Sequence, residues 1–166
     1  MQQSSSGPAG FESEFEPVIV TIESITTAVI GGTVAQDDLP AFFDSSFRTL
    51  APAIAAQGVQ ITGPAFGLFR GMPSEPVDIE VGFPTDHPVD PSGDVAPGSL
   101  PAGRVARMVH AGGFDKLADS WARLFAWVGD QGHTPATIQW EVYLTEPSPD
   151  MNPDDLRVEL NLPVEG

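Results

Sequence analysis

Between Pro135 and Pro147 the chain reads PATIQWEVYLTEP, and a carboxylate, Glu141, stands between Trp140 and Val142, two residues from the only tyrosine, Tyr143. A carboxyl group set among large apolar side chains loses hydration. Its pKa rises, and it becomes suited either to attract a cation or to move a proton near neutral pH. In an extended segment, side chains two apart share a face, so Glu141 and Tyr143 point the same way. The pair is a candidate for ligand binding, with Glu141 as the charge and Tyr143 as an aromatic wall. It is equally a candidate for catalysis, with Glu141 as general acid or base and Tyr143 positioning the substrate. Two further carboxylates, Glu80 and Glu159, lie on the polar side of the strand-like segments VDIEVGFP and LRVELNLP. If either comes within about 5 Å of Glu141, the like charges repel by about 3 kcal/mol at an effective dielectric of 20. A bound cation or a retained proton would relieve that strain. A Glu on the polar side of a half-buried strand is as readily a solvated surface residue.

Other chemistries find little support. There is no cysteine, which excludes disulfides, thiolate metal sites and cysteine nucleophiles. His87, His110 and His133 fall in three separate segments without metal-ligand spacing, so neither a metal nor a cofactor is expected. The stretch IGGTVA lacks the Lys-Ser/Thr ending of a phosphate loop and the dinucleotide pattern, and no serine sits in a nucleophile elbow. Seven Lys and Arg against 23 Asp and Glu leave a net charge of −16. That excess repels phosphate backbones and anionic lipid, so direct nucleic-acid contact is not expected, while cationic ligands are favoured in any cleft. No run approaches the roughly 18 apolar residues of a membrane span. The leader MQQSSSGPAGFESEFEP has neither a basic start nor an apolar stretch, which predicts a cytoplasmic protein with a disordered tail over residues 1–16.

The elements that must position Glu141 and Tyr143 come in two similar sets. Phe43, Phe47, Leu50 and Ile54 recur in character as Leu117, Trp121, Leu124 and Val128, and Gln57-Gly58 as Gln131-Gly132. This spacing is the apolar stripe of an amphipathic helix closed by a glycine. It predicts helices from Leu39 to Gln57, after the acidic start Asp37-Asp38, and from Phe114 to Gln131, with Pro52 kinking or shortening the first. Trp121 and Trp140 read as core, Trp127 as partly so. At the same shift Phe66, Leu68 and Phe69 fall on Trp140, Val142 and Tyr143, and VDIEVGFP overlays LRVELNLP, so strands follow each helix. PVIVTIESITTAVIGGTVA and GRVARMVHA supply an opening strand for each half.

The result is an α+β fold: duplicated β-α-β-β units with pseudo-two-fold symmetry around a central ligand cleft. It forms one domain over 17–164, with repeats at 17–84 and 104–164. The Pro- and Gly-rich stretch 85–103 reads as a connecting loop. One helix covers only one face of each half-sheet, so the cleft is expected on the face without helices. With Phe66, Leu68, Trp140 and Val142 turned to the helices, alternation sends Gly67, Phe69, Glu141 and Tyr143 into that cleft, with Phe114 as a further wall. Gly67 is the counterpart of Glu141, offering empty space where the other half offers a charge.

RVARMVHAGGFDKLADSWARLFAWVGDQG followed by WEVYLTEPSPDMNPDDLRVELNLPV resembles the GyrI-like small-molecule-binding domain, and GPAFGLFRGMPSEPVDIEVGFP looks like its upstream repeat. This domain also serves as the effector-binding half of multidrug-responsive bacterial transcription regulators. The resemblance implies a central groove, a pocket glutamate at Glu141 and aromatic walls that accept lipophilic, often cationic compounds. Where the family often has a tyrosine, this sequence has Phe114, which lacks the hydroxyl. Some relatives are reported as hydrolases of cyclopropane-containing antibiotics. Two functions are therefore expected to compete: a free-standing module that binds, senses or sequesters small lipophilic cations, and a hydrolase of strained or electrophilic small molecules using Glu141 as acid or base. Inhibition of a protein partner rests on the family name alone.

Overall fold

The computed structural model describes residues 16–70, 76–145, 152 and 155–165. In chain order the elements are β1 (Val18–Ile22), β2 (Ile25–Val34), α1 (Leu39–Ala56), β3 (Phe66–Arg70), β4 (Val77–Pro84), β5 (Ala96–Leu100), β6 (Gly103–Ala111), α2 (Leu117–Asp130), β7 (Thr134–Pro135), β8 (Ile138–Tyr143) and β9 (Arg157–Glu165). A 3-10 turn, Gln36–Asp38 or Phe114–Lys116, leads into each helix. The expected tail, apart from Glu16, lies outside the described residues, as does most of the hairpin segment 145–155.

Both helices follow their stripes. Leu50 and Ile54 of α1, and Trp121, Leu124 and Val128 of α2, are buried. Each helix ends as its glycine demands. Gly58 and Gly132 take φ of 72° and 79°, and the next residue reaches back to the last buried turn, Val59 N to Ile54 O at 3.3 Å and His133 N to Val128 O at 3.1 Å. Pro52 neither ends α1 nor shortens it. It sits on the exposed side, where water serves the carbonyl it frees, and Ile54, 1% exposed, holds the following turn to the sheet.

The strands form one antiparallel sheet in the order β1-β6-β9-β8-β3-β4-β2-β5, with β7 beside β9. Two strands precede α1 and three follow it before β6, which leads to α2 and the last three strands. At the centre of the sheet β3 pairs with β8, with Leu68 opposite Trp140 and Gly67 opposite Glu141. Two short links bend this sheet. Ile22 of β1 and Ile25 of β2 are three positions apart, and so are Leu100 of β5 and Gly103 of β6, which limits each separation to about 11 Å. Laid flat, the six strand spacings between β1 and β2 would put them about 29 Å apart. The sheet must therefore curl until its two sides meet. Val20, Ile22 and Val105 from one side, and Val29 and Leu100 from the other, close over Phe66, Leu68 and Trp140 in one cluster.

This curl overturns three expectations. The single long opening strand is two strands, broken at Glu23-Ser24 and sent to opposite sides of the sheet. The stretch 85–103 contains β5, which pairs with β2 and buries Val95 and Leu100. Finally, Phe66, Leu68, Trp140 and Val142 do not face the helices. They fill the concave, helix-free face, because a face that closes on itself needs the largest side chains to exclude water. The alternation was read correctly, and the faces were exchanged. On the convex face α1 packs on β2 and β4, and α2 on β6 and β9, leaving the central strands β3 and β8 at the floor of a groove between the helices.

Two glycines at the C-terminal end of α2, one inside it and one just past it, give opposite expectations. Gly132, at φ 79°, should lose about 1 kcal/mol on Gly132→Ala, since a Cβ strains that conformation. Gly129 lies within the helix with nothing within 4 Å of an added Cβ, so Gly129→Ala should gain about 0.5–1 kcal/mol in urea unfolding.

Candidate functional site

Glu141 lies on β8 with Leu160 of β9 on one side and Gly67 of β3 on the other. Leu160 points to α2, and Glu141 shares its face. There the carboxylate is 6% exposed and each oxygen has one donor. The Trp121 indole donates from Nε1 to Oε2 at 2.6 Å, and the Tyr143 hydroxyl donates to Oε1 at 2.9 Å. Burial pushes the Glu141 pKa above its ordinary value, and the Trp121 and Tyr143 hydrogen bonds and the nearby His110 offset this in part. Burial, followed by the charge of Glu141 and the bond to it, raises the Tyr143 hydroxyl well above 10.0. Tyr143 therefore keeps its proton and acts as a donor to Glu141.

Gly67 makes this arrangement possible. A Cβ at that position would fall 2.9 Å from the Tyr143 oxygen and 3.3 Å from Phe43 Cε1. The space opposite Glu141 is thus filled by the tyrosine hydroxyl and a phenyl ring rather than left open for a ligand.

A cleft of ≈ 1310 Å³ opens between the helices above these groups. Phe43, Phe47 and Arg48 of α1 line one side, Leu117 of α2 the other, and Phe69, Phe83, Glu141 and Tyr143 the sheet floor. The aromatic rings run in sequence. Tyr143 meets Phe43 edge-on at 6.0 Å, Phe43 stacks on Phe47 at 6.1 Å, and Phe47 meets Phe83 edge-on at 5.4 Å. One wall is aromatic, and the carboxylate lies at its foot.

The structure thus brings together Glu141, Tyr143 and Phe69 of the residues singled out from sequence. Gly67 adjoins them without lining the cleft. Phe114 opens the 3-10 turn before α2, and its side chain lies outside the described structure. Glu80 and Glu159 are elsewhere. Their strands turn Ile79, Val81, Val158 and Leu160 to the helices, so both glutamates project from the opposite, concave side. There Glu80 pairs with Arg70 at 3.3 Å and Glu159 with Arg107 at 3.4 Å. No repulsion with Glu141 arises, because the sheet separates them.

Sequence reasoning missed Phe43, Phe47 and Phe83, taken as core, and Trp121, taken as packing alone. The indole N–H was the available signal, since a buried tryptophan needs an acceptor. His110 also proves buried. It bonds Ser120 Oγ through Nδ1 at 2.6 Å and the Gly113 carbonyl through Nε2 at 2.9 Å, tying the turn before α2 to the sheet. Among the described residues no group of three His, Asp or Glu could hold a metal, and no helix is long and apolar enough to cross a membrane.

A family model described as the GyrI-like small molecule binding domain matches residues 15–165. The chain belongs to this family. Solved structures share the fold at low identity. EcmrR, seen bound to DNA in EcmrR-RPo, is 19% identical with a TM-score of 0.76 over 92% of this chain and 58% of its own, so this GyrI-like chain spans little more than half the length of that protein. SAV2435 bound to tetraphenylphosphonium is 16% identical with a TM-score of 0.62, over 91% and 94% of the two chains. A hydrolase encoded by lin2189 from Listeria innocua is 14% identical with a TM-score of 0.65, over 95% and 96%. A search among curated proteins finds no match.

The raised pKa of Glu141 has a signed consequence for stability. Above its ordinary value of 4.5 the folded chain holds this proton more tightly than the unfolded chain, so the carboxyl's contribution to stability falls as pH rises from there through the raised folded value. Glu141→Gln should remove that descending component. Urea unfolding of both proteins across the window gives the difference, and parallel curves would refute the assignment.

Proposed function

We propose that this GyrI-like domain binds small lipophilic cations in the cleft between its helices, with Glu141 as counter-charge and the Tyr143–Phe43–Phe47–Phe83 series as the wall. The observation that carries the reading is a carboxylate buried at the foot of an aromatic cleft. Two neutral hydrogen bonds support its charge without cancelling it, and a cation completes the pairing. The rings add a cation–π attraction of about 0.5–2 kcal/mol. A net charge of −16 steers cations toward the chain. The neighbour that holds tetraphenylphosphonium, a lipophilic cation, agrees with this reading. On it, the two halves are repeats about an approximate two-fold axis between β3 and β8, with Gly67 and Glu141 as the position where they diverge. The product of binding is sensing or sequestration in the cytoplasm, and DNA is reached only through another segment or another protein.

The same burial favours hydrolysis as the second reading: it raises the Glu141 pKa at the edge of the cleft, the direction that a general acid needs. A protonated Glu141 would give its proton to one carbon of the strained C–C bond as that bond breaks, water would bond to the other carbon, and the proton that this water loses would return to the carboxylate. Incubation with a cyclopropanoid compound and mass analysis for the hydrated product checks this, and a lack of product leaves binding alone.

Fluorescence titration with a lipophilic cation should show affinity falling about tenfold or more in Glu141→Gln. Unchanged affinity would remove the cation reading. Because a bound cation favours the ionised carboxylate, binding expels the proton that the free domain retains at low pH. Affinity should therefore decline by up to about tenfold per pH unit below the free-state pKa of Glu141, and stay flat with pH in the variant.

A further inference from the structure

The inner end of the cleft presents hydrogen-bond acceptors, and its donors are already committed. Tyr143 gives its one hydroxyl hydrogen to Glu141 Oε1 at 2.9 Å, so toward a third molecule its oxygen shows lone pairs only. The indole hydrogen of Trp121 is held by Oε2 at 2.6 Å. The peptide N–H of Tyr143 is bound to the Ala65 carbonyl at 2.9 Å. Among the described side chains that line the cleft, the remaining donor is the Arg48 guanidinium, which is exposed and paired with Asp44 on its own helix.

Tyr143 also borders the cleft with more of its side chain than Glu141 does. Glu141 is 6% exposed, whereas Tyr143 is only half-buried and borders the same cleft. Its hydroxyl cannot drift. The missing side chain at Gly67 leaves room for the oxygen, since a Cβ there would stand 2.9 Å from it, and the edge of Phe43 confines the ring, with centroids 6.0 Å apart.

We infer that the Tyr143 hydroxyl, held over Gly67, selects the ligand: it accepts an N–H from a protonated amine or amidinium and so favours such cations over permanently alkylated ones of the same shape. The inference rests on the cation reading and names the class of cation. A quaternary ammonium gains the charge of Glu141 and the aromatic wall, but it covers the phenolic oxygen without supplying a hydrogen. A protonated amine gains the same charge and wall and adds a charge-assisted hydrogen bond.

The test is calorimetric titration with a matched pair, an aromatic tertiary amine and its N-methyl quaternary derivative, at a pH where the amine is charged. The unaltered chain should bind the protonated amine about tenfold more tightly, the worth of one hydrogen bond to a charged group. Tyr143→Phe should reduce that ratio by about threefold or more, whatever happens to either affinity alone. Gly67→Ala, which keeps the hydroxyl but pushes it aside, should reduce the ratio as well. Equal affinities in the unaltered chain, or a ratio untouched by Tyr143→Phe, overturn the inference and leave the cation reading standing. Binding of neither cation overturns both.

Discussion

A carboxylate taken out of water loses several kcal/mol of hydration, and the Glu141 side chain has only two donors and one weakly exposed edge to set against that loss. Those donors come from different parts of the chain. Trp121 lies on α2, while Tyr143 is the next residue but one along the same strand. The first bond fastens a helix to the centre of the sheet, and the second fixes an aromatic ring at the foot of the cleft. His110 fastens α2 a second time through Ser120, the neighbour of Trp121. The helix beside the cleft is thus placed by polar contacts as well as by its apolar stripe. Gly67 belongs to the same arrangement, because any larger residue would occupy the place of the Tyr143 hydroxyl.

The position of the cleft follows from the curvature of the sheet. Two links, at Glu23-Ser24 and Pro101-Ala102, join strands from opposite sides and leave no room for a flat arrangement. Once the concave face has closed over Phe66, Leu68 and Trp140, the remaining space lies on the convex face, where each helix covers the outer strands of its own half. The central strands lie between them, at the floor of the cleft. The same geometry assigns the other glutamates: Glu80 and Glu159 project to the concave side and are neutralised by Arg70 and Arg107. Neither of these two carboxylates therefore adjoins Glu141.

Structures between 14% and 19% identical share this fold over more than nine-tenths of the chain. One is seen on DNA as part of a longer chain, one with an organic cation, and one is described as a hydrolase. A shared sheet does not choose among such tasks. The choice lies in the few side chains that border the cleft. Among the described residues they include four phenylalanines, one tyrosine, the buried acid Glu141 and, at the exposed margin, the Asp44–Arg48 pair, a set rich in apolar surface and acceptors.

Local sequence determined what local chemistry controls. Helical spacing and terminal glycines marked α1 and α2 to within a few residues, and period-two alternation grouped Gly67, Phe69, Glu141 and Tyr143 on one face. The odd carboxylate between Trp140 and Val142 marked the floor of the cleft. Tertiary structure decided what depends on residues distant in the chain. Alternation states which side chains share a face but not which face the helices cover, and only the curl of the whole sheet settled that. Trp121 could be recognised as buried from its stripe, yet its acceptor lay 20 residues away on a strand. Phe43 and Phe47 obey the pattern of core residues because the wall of a cleft and the interior of a protein ask for the same apolar surface. The difference between them is whether another element arrives to cover it, and among the described residues the space over β3 and β8 stays open as the cleft.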